Sequence, residues 1–188
     1  ETDYELAHRV VDEFIGDFAD AVYDGHEETK ISIYATNAEG NEGGKSFPFD
    51  ILDAHGIIPE PEAYATQRDP RLYCNSMREN RDWMDRHTVG AKRELIPWIT
   101  PGTYGHVYPE ELYRVVSQTF LCGATGFTIY RYNEIDDFDK MLKMSEAIGD
   151  IALYEDIVLD GEFAAIDNVV NGVVSGMELD DEYLISVT

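Results

Sequence analysis

The clearest fold signal in the sequence is Glu94-Leu-Ile-Pro-Trp-Ile-Thr100, followed by a glycine-rich loop from Pro101 to Tyr108 and a helix that begins at Pro109. Apolar and aromatic residues in the first piece are typical of a strand. Proline suits the first turn of a helix, because its missing N–H would have no partner there. One face of this helix is apolar, and Gly123 ends it. The face consists of Leu112, Val115, Val116, Thr119 and Phe120.

The same strand, loop and helix pattern recurs on both sides of this segment. Gly126-Phe-Thr-Ile-Tyr-Arg-Tyr132 predicts the next strand, and Asp136 is placed to cap the helix after it. We expect that helix to bury Phe138, Met141, Leu142, Ser145, Ile148 and Ala152. Upstream, residues 57–66 predict a strand whose two prolines make its start irregular and its last five residues the clearest part. A helix over residues 76–86 follows it.

The N-terminal part begins with a helical pattern. Leu6, Val10, Phe14, Phe18 and Val22 recur every four residues, with Val11, Ile15 and Ala19 beside them. Together they predict a helix that packs this apolar face on a core. No initiator Met and no capping segment precede Tyr4, so we expect the chain to be a fragment of a longer protein. A strand over residues 30–36 and a short helix over residues 49–55, ended by Gly56, complete the first unit.

Four such alternations imply an α/β fold with a parallel sheet covered by helices. The pattern changes after residue 160, where Met177 to Val187 predicts strands joined by an acidic turn at Asp180-Asp-Glu182. We therefore predict two units. Residues 1–160 form a partial (β/α) barrel, and residues 161–188 form the start of a C-terminal β domain.

The charge is strongly one-sided. Among 188 residues, 38 acidic and 14 basic side chains give a formal net charge of −24, which argues against nucleic acid and anionic membranes as partners. A hydrophobic content of 44% is too high for a disordered acidic chain. No apolar run reaches the length of a membrane span, so we expect a soluble protein with a solubilising surface.

Metal and cofactor signals are weak. Cys74 and Cys122 lack the spacing of paired ligands, and we expect both to be plain, unpaired thiols. The five histidines are scattered singly, without two on one helix face. We predict no metal site and no cofactor.

Alternate residues along the four predicted strands share a polar and aromatic face. Because successive side chains point to opposite sides of a strand, these residues should lie together near the strand ends that carry ligands in α/β folds. Aromatic rings stack on the apolar faces of sugars, while hydroxyls and a carboxylate fix sugar hydroxyl groups. The predicted substrate-binding residues are Tyr34, Tyr64, Arg68, Trp98, Thr100, Tyr104, Tyr130 and Tyr132.

Glu62 is the candidate catalytic residue. A carboxylate on an inward strand face is costly unless it is paired or solvated at a site. Tyrosines that simply fill a core, and a solvated edge position for Glu62, are the structural alternatives.

The chain resembles the C-terminal half of a (β/α)8-barrel glycoside hydrolase that runs into a β-sandwich domain. The resemblance rests on residues 97–105, 109–113, 122–132 and 154–162, which are similar to the seventh strand and helix, the eighth strand and the closing helix of such enzymes. It implies a TIM-barrel half of about four β/α units, a carbohydrate substrate and, as partner, the missing N-terminal half of the same polypeptide.

One feature departs from the largest clan of these enzymes, in which a nucleophilic glutamate closes the seventh strand. Trp98-Ile-Thr-Pro-Gly102 has no carboxylate there. The leading hypothesis is hydrolysis of an oligo- or polysaccharide, and the alternative is a non-catalytic sugar-binding or scaffold barrel. A barrel acting on a small acid would need a basic pocket, for which Arg68 and Arg131 are available.

Overall fold

The computed structural model describes residues 2–26, 28–35, 49–64, 66–87, 94–102, 105–131, 137–164 and 172–188. Within these ranges the chain forms six helices and seven strands. The helices are α1 (Asp3–Tyr23), α2 (Phe49–Ala54), α3 (Pro70–His87), α4 (Pro109–Leu121), α5 (Phe138–Ala152) and α6 (Glu155–Asp160). The strands are β1 (Ile31–Ala35), β2 (Ile57–Pro61), β3 (Trp98–Ile99), β4 (Thr128–Ile129), β5 (Glu162–Phe163), β6 (Val174–Leu179) and β7 (Glu182–Val187).

Two small parallel sheets carry the first four strands. β1 pairs with β2 from Ile31 opposite Ile57 to Ala35 opposite Pro61. β3 pairs with β4 through two residues each. A single parallel bridge between Glu62 and Trp98 joins the two sheets, and we call this junction the seam.

The predicted TIM-barrel half is wrong. The described strands form two two-stranded parallel sheets and one three-stranded antiparallel sheet, in a mixed α/β arrangement. The carbonyl of Pro59 accepts from the Ile96 amide, and the Ala63 amide donates to Trp98, so this side of β2 faces β3. Alternation puts Pro61 on the same side. Neither proline has an N–H to donate, which leaves the ladder across the seam incomplete.

The strands are also shorter than the sequence predicts. β2 occupies the first five residues of the predicted segment, prolines included, instead of the last five. β3 and β4 retain only two residues each of the predicted segments 94–100 and 126–132. Helix α3, by contrast, begins at Pro70, six residues before the predicted start.

Helix α1 buries only part of the predicted apolar face. Ile15 and Ala19 are buried, and Val11 packs beside them. Leu6, Val10, Phe14 and Phe18 are exposed instead. The expectation that no capping segment precedes Tyr4 is wrong, because Thr2 caps this helix in a box with Glu5.

Helix α5 turns a different face to the core than predicted. It buries Met144, Ala147 and Ile151, whereas Phe138, Met141, Leu142 and Ile148 of the predicted face are exposed. Its cap is Asp137, whose side chain accepts from the Asp139 amide, and the predicted cap Asp136 lies outside the described residues.

The remaining helix predictions are confirmed. Helix α4 buries Leu112, Val115, Val116 and Thr119, as its pattern predicts. Helix α2 stops before Gly56, whose φ of 68° is a backbone conformation that glycine adopts without strain.

The C-terminal strands form an antiparallel sheet in the order β5-β6-β7, with the predicted turn at Asp180. This sheet packs on the helices through a small apolar cluster of Met177 with Leu121, Ile151, Ile157 and Val158. Hydrogen bonds add to the contact, because Arg78 donates to the Val174 carbonyl at 2.9 Å. The domain boundary at residue 160 stays a prediction.

Cys74 and Cys122 are both buried, and neither forms a disulfide in the structure. Among the described residues, no three His, Cys, Asp or Glu side chains are grouped to hold a metal ion. None of the described helices combines the length and the apolar character required to cross a membrane.

Candidate functional site

The structure gathers six of the alternating strand residues on one face that spans the seam. They come from β1, β2 and β3 and from the residues just after β2 and β4, and we call them the aromatic–carboxylate face. Their neighbours with the opposite orientation, such as Ala35, Ala63 and Ile99, are buried in the core. Alternation along the strands therefore places these side chains together. The face consists of Tyr34, Glu60, Glu62, Tyr64, Trp98 and Tyr130.

Glu62 lies at the centre of a hydrogen-bonded triad with two tyrosines. The Tyr34 hydroxyl donates to Glu62 Oε2 at 2.7 Å, and the Tyr64 hydroxyl approaches the same oxygen at 3.1 Å. The two hydroxyls are also 2.8 Å apart. Each phenol has one proton to donate. With Glu62 ionised, two hydroxyl protons are therefore shared among the three oxygen–oxygen contacts.

Tyr34 is held as a neutral donor in this triad. Burial, the hydrogen bonds to Tyr64 and Glu62, and the negative charge of Glu62 all raise the pKa of Tyr34 well above its usual value. Its phenol proton therefore remains in place at any physiological pH. Tyr34 holds one oxygen of Glu62 in position.

Glu60 is oriented by an indole. Trp98 Nε1 donates to Glu60 Oε2 at 2.7 Å across the seam, and Glu60 lies opposite Tyr34 in the β1–β2 register. The other oxygens, Oε1 of Glu60 and Oε1 of Glu62, have no hydrogen-bond partner in the part of the chain that the structure describes. Both residues are half-buried, and a carboxylate oxygen without a partner can accept further hydrogen bonds.

The rings form two perpendicular contacts and one stack. Tyr64 and Tyr130 stack with centroids 4.9 Å apart and planes at 15°. Trp98 meets Tyr34 at 5.9 Å and 78°, and meets Tyr130 at 5.9 Å and 71°. Tyr34 is 42% exposed and Tyr64 only 6%, so Tyr34 supplies contact surface whereas Tyr64 supports Glu62.

Arg131 covers part of Tyr130. Its guanidinium carbon lies 5.4 Å from the ring centroid, a cation–π contact. Tyr64 already stacks on this ring, so Arg131 occupies the opposite face. Alternation along an extended strand would point Arg131 away from Tyr130. At Arg131 the backbone has a φ of 60° and is no longer extended, so the side chain can lie over the Tyr130 ring.

Two predicted binding residues have other surroundings. Thr100 is buried, and its backbone exchanges hydrogen bonds with the Gln67 side chain, at 2.8 Å from the Thr100 amide to Gln67 Oε1. Arg68 is exposed and lies against Gly105, where an added Cβ would be 2.6 Å from Arg68 Nη1. Tyr104 and Tyr132 lie outside the described residues.

The predicted site residues that the structure brings together are thus Glu62, Tyr34, Tyr64, Trp98 and Tyr130. The sequence prediction missed Gln67, a buried amide that fixes the residues after β3, and did not assign Glu60 a role. The signal for Glu60 was present, because it lies two residues before Glu62 and therefore on the same face.

Comparisons with protein-family models, with curated proteins and with solved structures returned no match.

Proposed function

We propose that the aromatic–carboxylate face binds a carbohydrate. The observation that carries this proposal is the exposed ring of Tyr34, whose hydroxyl is hydrogen-bonded to a half-buried carboxylate within a cluster of four aromatic rings. Such a face offers an apolar platform beside oriented acceptors, which is the combination that sugar recognition requires.

The rings supply the platform. Tyr34 is exposed and Trp98 and Tyr130 are partly exposed, whereas Tyr64 is buried. Arg131 lies over the ring of Tyr130 and covers part of it. A pyranose ring that packs its C–H face on Tyr34 removes apolar surface of both partners from water. We therefore assign ring contact to Tyr34 and Trp98.

The carboxylates supply the polar contacts. Each uses Oε2 for a ring donor of the protein, and this fixes the direction in which Oε1 points. A sugar hydroxyl that donates to a carboxylate forms a charge-assisted hydrogen bond, about twice as strong as a neutral one. Two such acceptors beside the rings favour a polyhydroxylated ligand over a purely apolar one.

Intrinsic fluorescence tests the proposal directly, because the chain has two tryptophans and Trp83 is on α3. In a Trp83→Phe background, we expect cellohexaose, xylohexaose or maltohexaose to change the emission of Trp98 in a saturable way. Tyr34→Ala should weaken this binding about tenfold or more, which corresponds to about 1.4 kcal/mol.

The matched control is Tyr183→Ala, since Tyr183 is an exposed tyrosine on β7, away from the face. It should leave the dissociation constant unchanged. Absence of saturable binding for all three hexaoses, or equal weakening by both alanine variants, would refute the proposal.

Hydrolysis of the bound sugar is a second candidate, favoured by the presence of Glu60 and Glu62 on one face. Residues two apart on a strand advance by about 6.6 Å, and inverting glycosidases separate their carboxyl groups by about 6.5–9.5 Å.

Reducing-end release from the same hexaoses tests this candidate. We expect Glu62→Gln and Glu60→Gln each to lower the rate by at least about a hundredfold, in the range of a lost acid or base. Glu178→Gln, on β6, is the control and should keep full activity. An unchanged rate in Glu62→Gln would remove Glu62 from the mechanism while leaving sugar binding intact.

A further inference from the structure

We infer that the carbohydrate recognised by the aromatic–carboxylate face carries free amino groups and binds as a cation, an inference that rests on the proposed sugar-binding function. The ligand class is an oligosaccharide of unacetylated amino sugars, in contrast to neutral sugars and uronic acids. Three independent features of the face support this assignment, and the overall charge of the chain agrees with them.

The first feature is the arrangement of the rings. Trp98 stands nearly perpendicular to Tyr34 at 78° and to Tyr130 at 71°, so aromatic surfaces of different orientation border the same region. Each ring face presents negative electrostatic potential, and rings that meet at steep angles are the arrangement by which proteins bind ammonium groups. A single flat platform would suffice for a neutral sugar.

The second feature is the carboxylate pair. An ammonium group has three donors and no acceptor, whereas a hydroxyl has one donor. Glu60 and Glu62 each keep one oxygen bound to a ring donor and offer the other, in the described part of the chain, to a ligand. Two half-buried carboxylates on one face suit a cation, because a neutral hydroxyl would compensate neither negative charge.

The third feature is that the ring cluster already holds a cation. The Arg131 guanidinium lies over Tyr130 at 5.4 Å from its centroid. The backbone of Arg131 has a φ of 60°, which is uncommon for a residue with a side chain. The rings therefore stabilise positive charge next to the region bordered by Tyr34 and Trp98.

The net charge of −24 attracts any cation and repels uronic acids. General attraction of this kind has no preference for one face of the molecule, and salt screens it over about 8 Å at physiological ionic strength. The experiment must therefore separate a local effect of Glu60 and Glu62 from the overall charge.

Titration calorimetry in 150 mM NaCl at pH 6 compares three hexasaccharides that differ at one substituent: the β-1,4-linked glucosamine hexamer, its fully N-acetylated form and cellohexaose. We expect the glucosamine hexamer to bind at least about tenfold more tightly than both neutral ligands, which corresponds to about 1.4 kcal/mol. Because this comparison uses the unmodified protein, it does not depend on the folding of any variant.

Two double variants with the same change in charge identify the source of the preference. Glu60→Gln with Glu62→Gln should bind the three hexamers with similar affinity, provided that thermal melting shows a folded protein. Asp17→Asn with Asp20→Asn, on the exposed side of α1, should keep the preference of the unmodified protein. Spermine serves as a cation without sugar rings and should bind more weakly than the glucosamine hexamer.

The outcomes are distinguishable. Equal binding of cellohexaose and the glucosamine hexamer would overturn the amino-sugar inference and leave carbohydrate binding in place. Equal loss of preference in both double variants, or spermine binding as tight as that of the hexamer, would assign the effect to overall charge and overturn the inference too. Absence of binding for all three hexasaccharides would overturn both this inference and the proposed function.

Discussion

Glu62 shows how a single residue acquires its surroundings from strands that are distant in the chain. Its Oε2 is bound by Tyr34 of β1 and Tyr64 beyond β2, and its backbone pairs with Trp98 of β3. Alternation along the strands predicted that these residues share a face. It did not predict that Tyr64 and Tyr130 stack on each other, because strand periodicity fixes the direction of a side chain but not its rotamer.

Replacement of Gly161 and of Gly149 by alanine should change the free energy of unfolding in opposite directions. At Gly161 an added Cβ would lie 2.2 Å from the Ile157 carbonyl oxygen and 2.7 Å from that of Glu178, both backbone atoms. We expect Gly161→Ala to lower the free energy of unfolding by about 1–3 kcal/mol or more, the usual cost of overpacking. Urea denaturation followed by circular dichroism measures the change.

Gly149 is the matched position, because an added Cβ there meets nothing within 4 Å and the residue lies inside helix α5. Gly149→Ala should raise the free energy of unfolding by about 0.5–1 kcal/mol, since alanine loses less backbone entropy in a helix. Destabilisation of both variants to the same extent would contradict the packing described for the α6–β5 junction.

At the scale of elements, helix α1 explains why apolar periodicity identified a helix but not its buried face. Leu6, Val10, Phe14 and Phe18 form one apolar stripe, and Val11, Ile15 and Ala19 form another beside it. Either stripe would give an amphipathic helix, and the sequence contains no signal that ranks them. The tertiary contacts of Ile15 and Ala19 decide the orientation.

Adjacent residues on α1 test this orientation. Phe14 is 63% exposed and Ile15 only 1%. We expect Ile15→Ala to cost about 2–5 kcal/mol of unfolding free energy through lost burial and a cavity. Phe14→Ala should stay within about 0.5 kcal/mol of the unmodified protein, as surface substitutions usually do. Thermal and urea unfolding measure both changes. A larger loss of unfolding free energy in Phe14→Ala than in Ile15→Ala would show that the stripe containing Phe14 is the buried one.

The parallel strands show a second limit of prediction from the sequence at the scale of elements. The strand–loop–helix order was readable, and so were the parallel pairs β1–β2 and β3–β4. The extrapolation to a continuous barrel sheet failed at Pro59 and Pro61, because a hydrophobic strand pattern does not reveal which neighbour a missing N–H faces.

At the scale of the whole molecule, the charge of −24 constrains stability more than fold. The ion pairs among described residues are mostly exposed, as between Arg9 and Glu13 or Lys143 and Glu146, and they leave most acidic side chains without a cationic partner. Self-repulsion of this kind favours the expanded chain. The excess of acidic side chains can be counted in the sequence, whereas the packing of the C-terminal sheet on the helices required the structure.

The protein should therefore gain stability with salt. Raising NaCl from 0.1 to 1 M shortens the screening length from about 10 Å to about 3 Å. We expect the urea midpoint to rise, and to rise less in Asp17→Asn with Asp20→Asn, where two of the repelling charges are removed. A midpoint that stays constant or falls between these salt concentrations would contradict self-repulsion as the main electrostatic effect.

The seam between the two parallel sheets links recognition to the mechanics of the fold. Its backbone connections include the Ala63 amide, which donates to the Trp98 carbonyl at 3.1 Å. Tyr34 lies on one side of the seam and Trp98 on the other. A molecule that contacts both rings would therefore link the two sheets where their ladder of hydrogen bonds is incomplete. The hydrogen-exchange rate of the Ala63 amide then reports whether such a molecule is bound. We expect the rate to fall on binding, because opening of the seam exposes this amide.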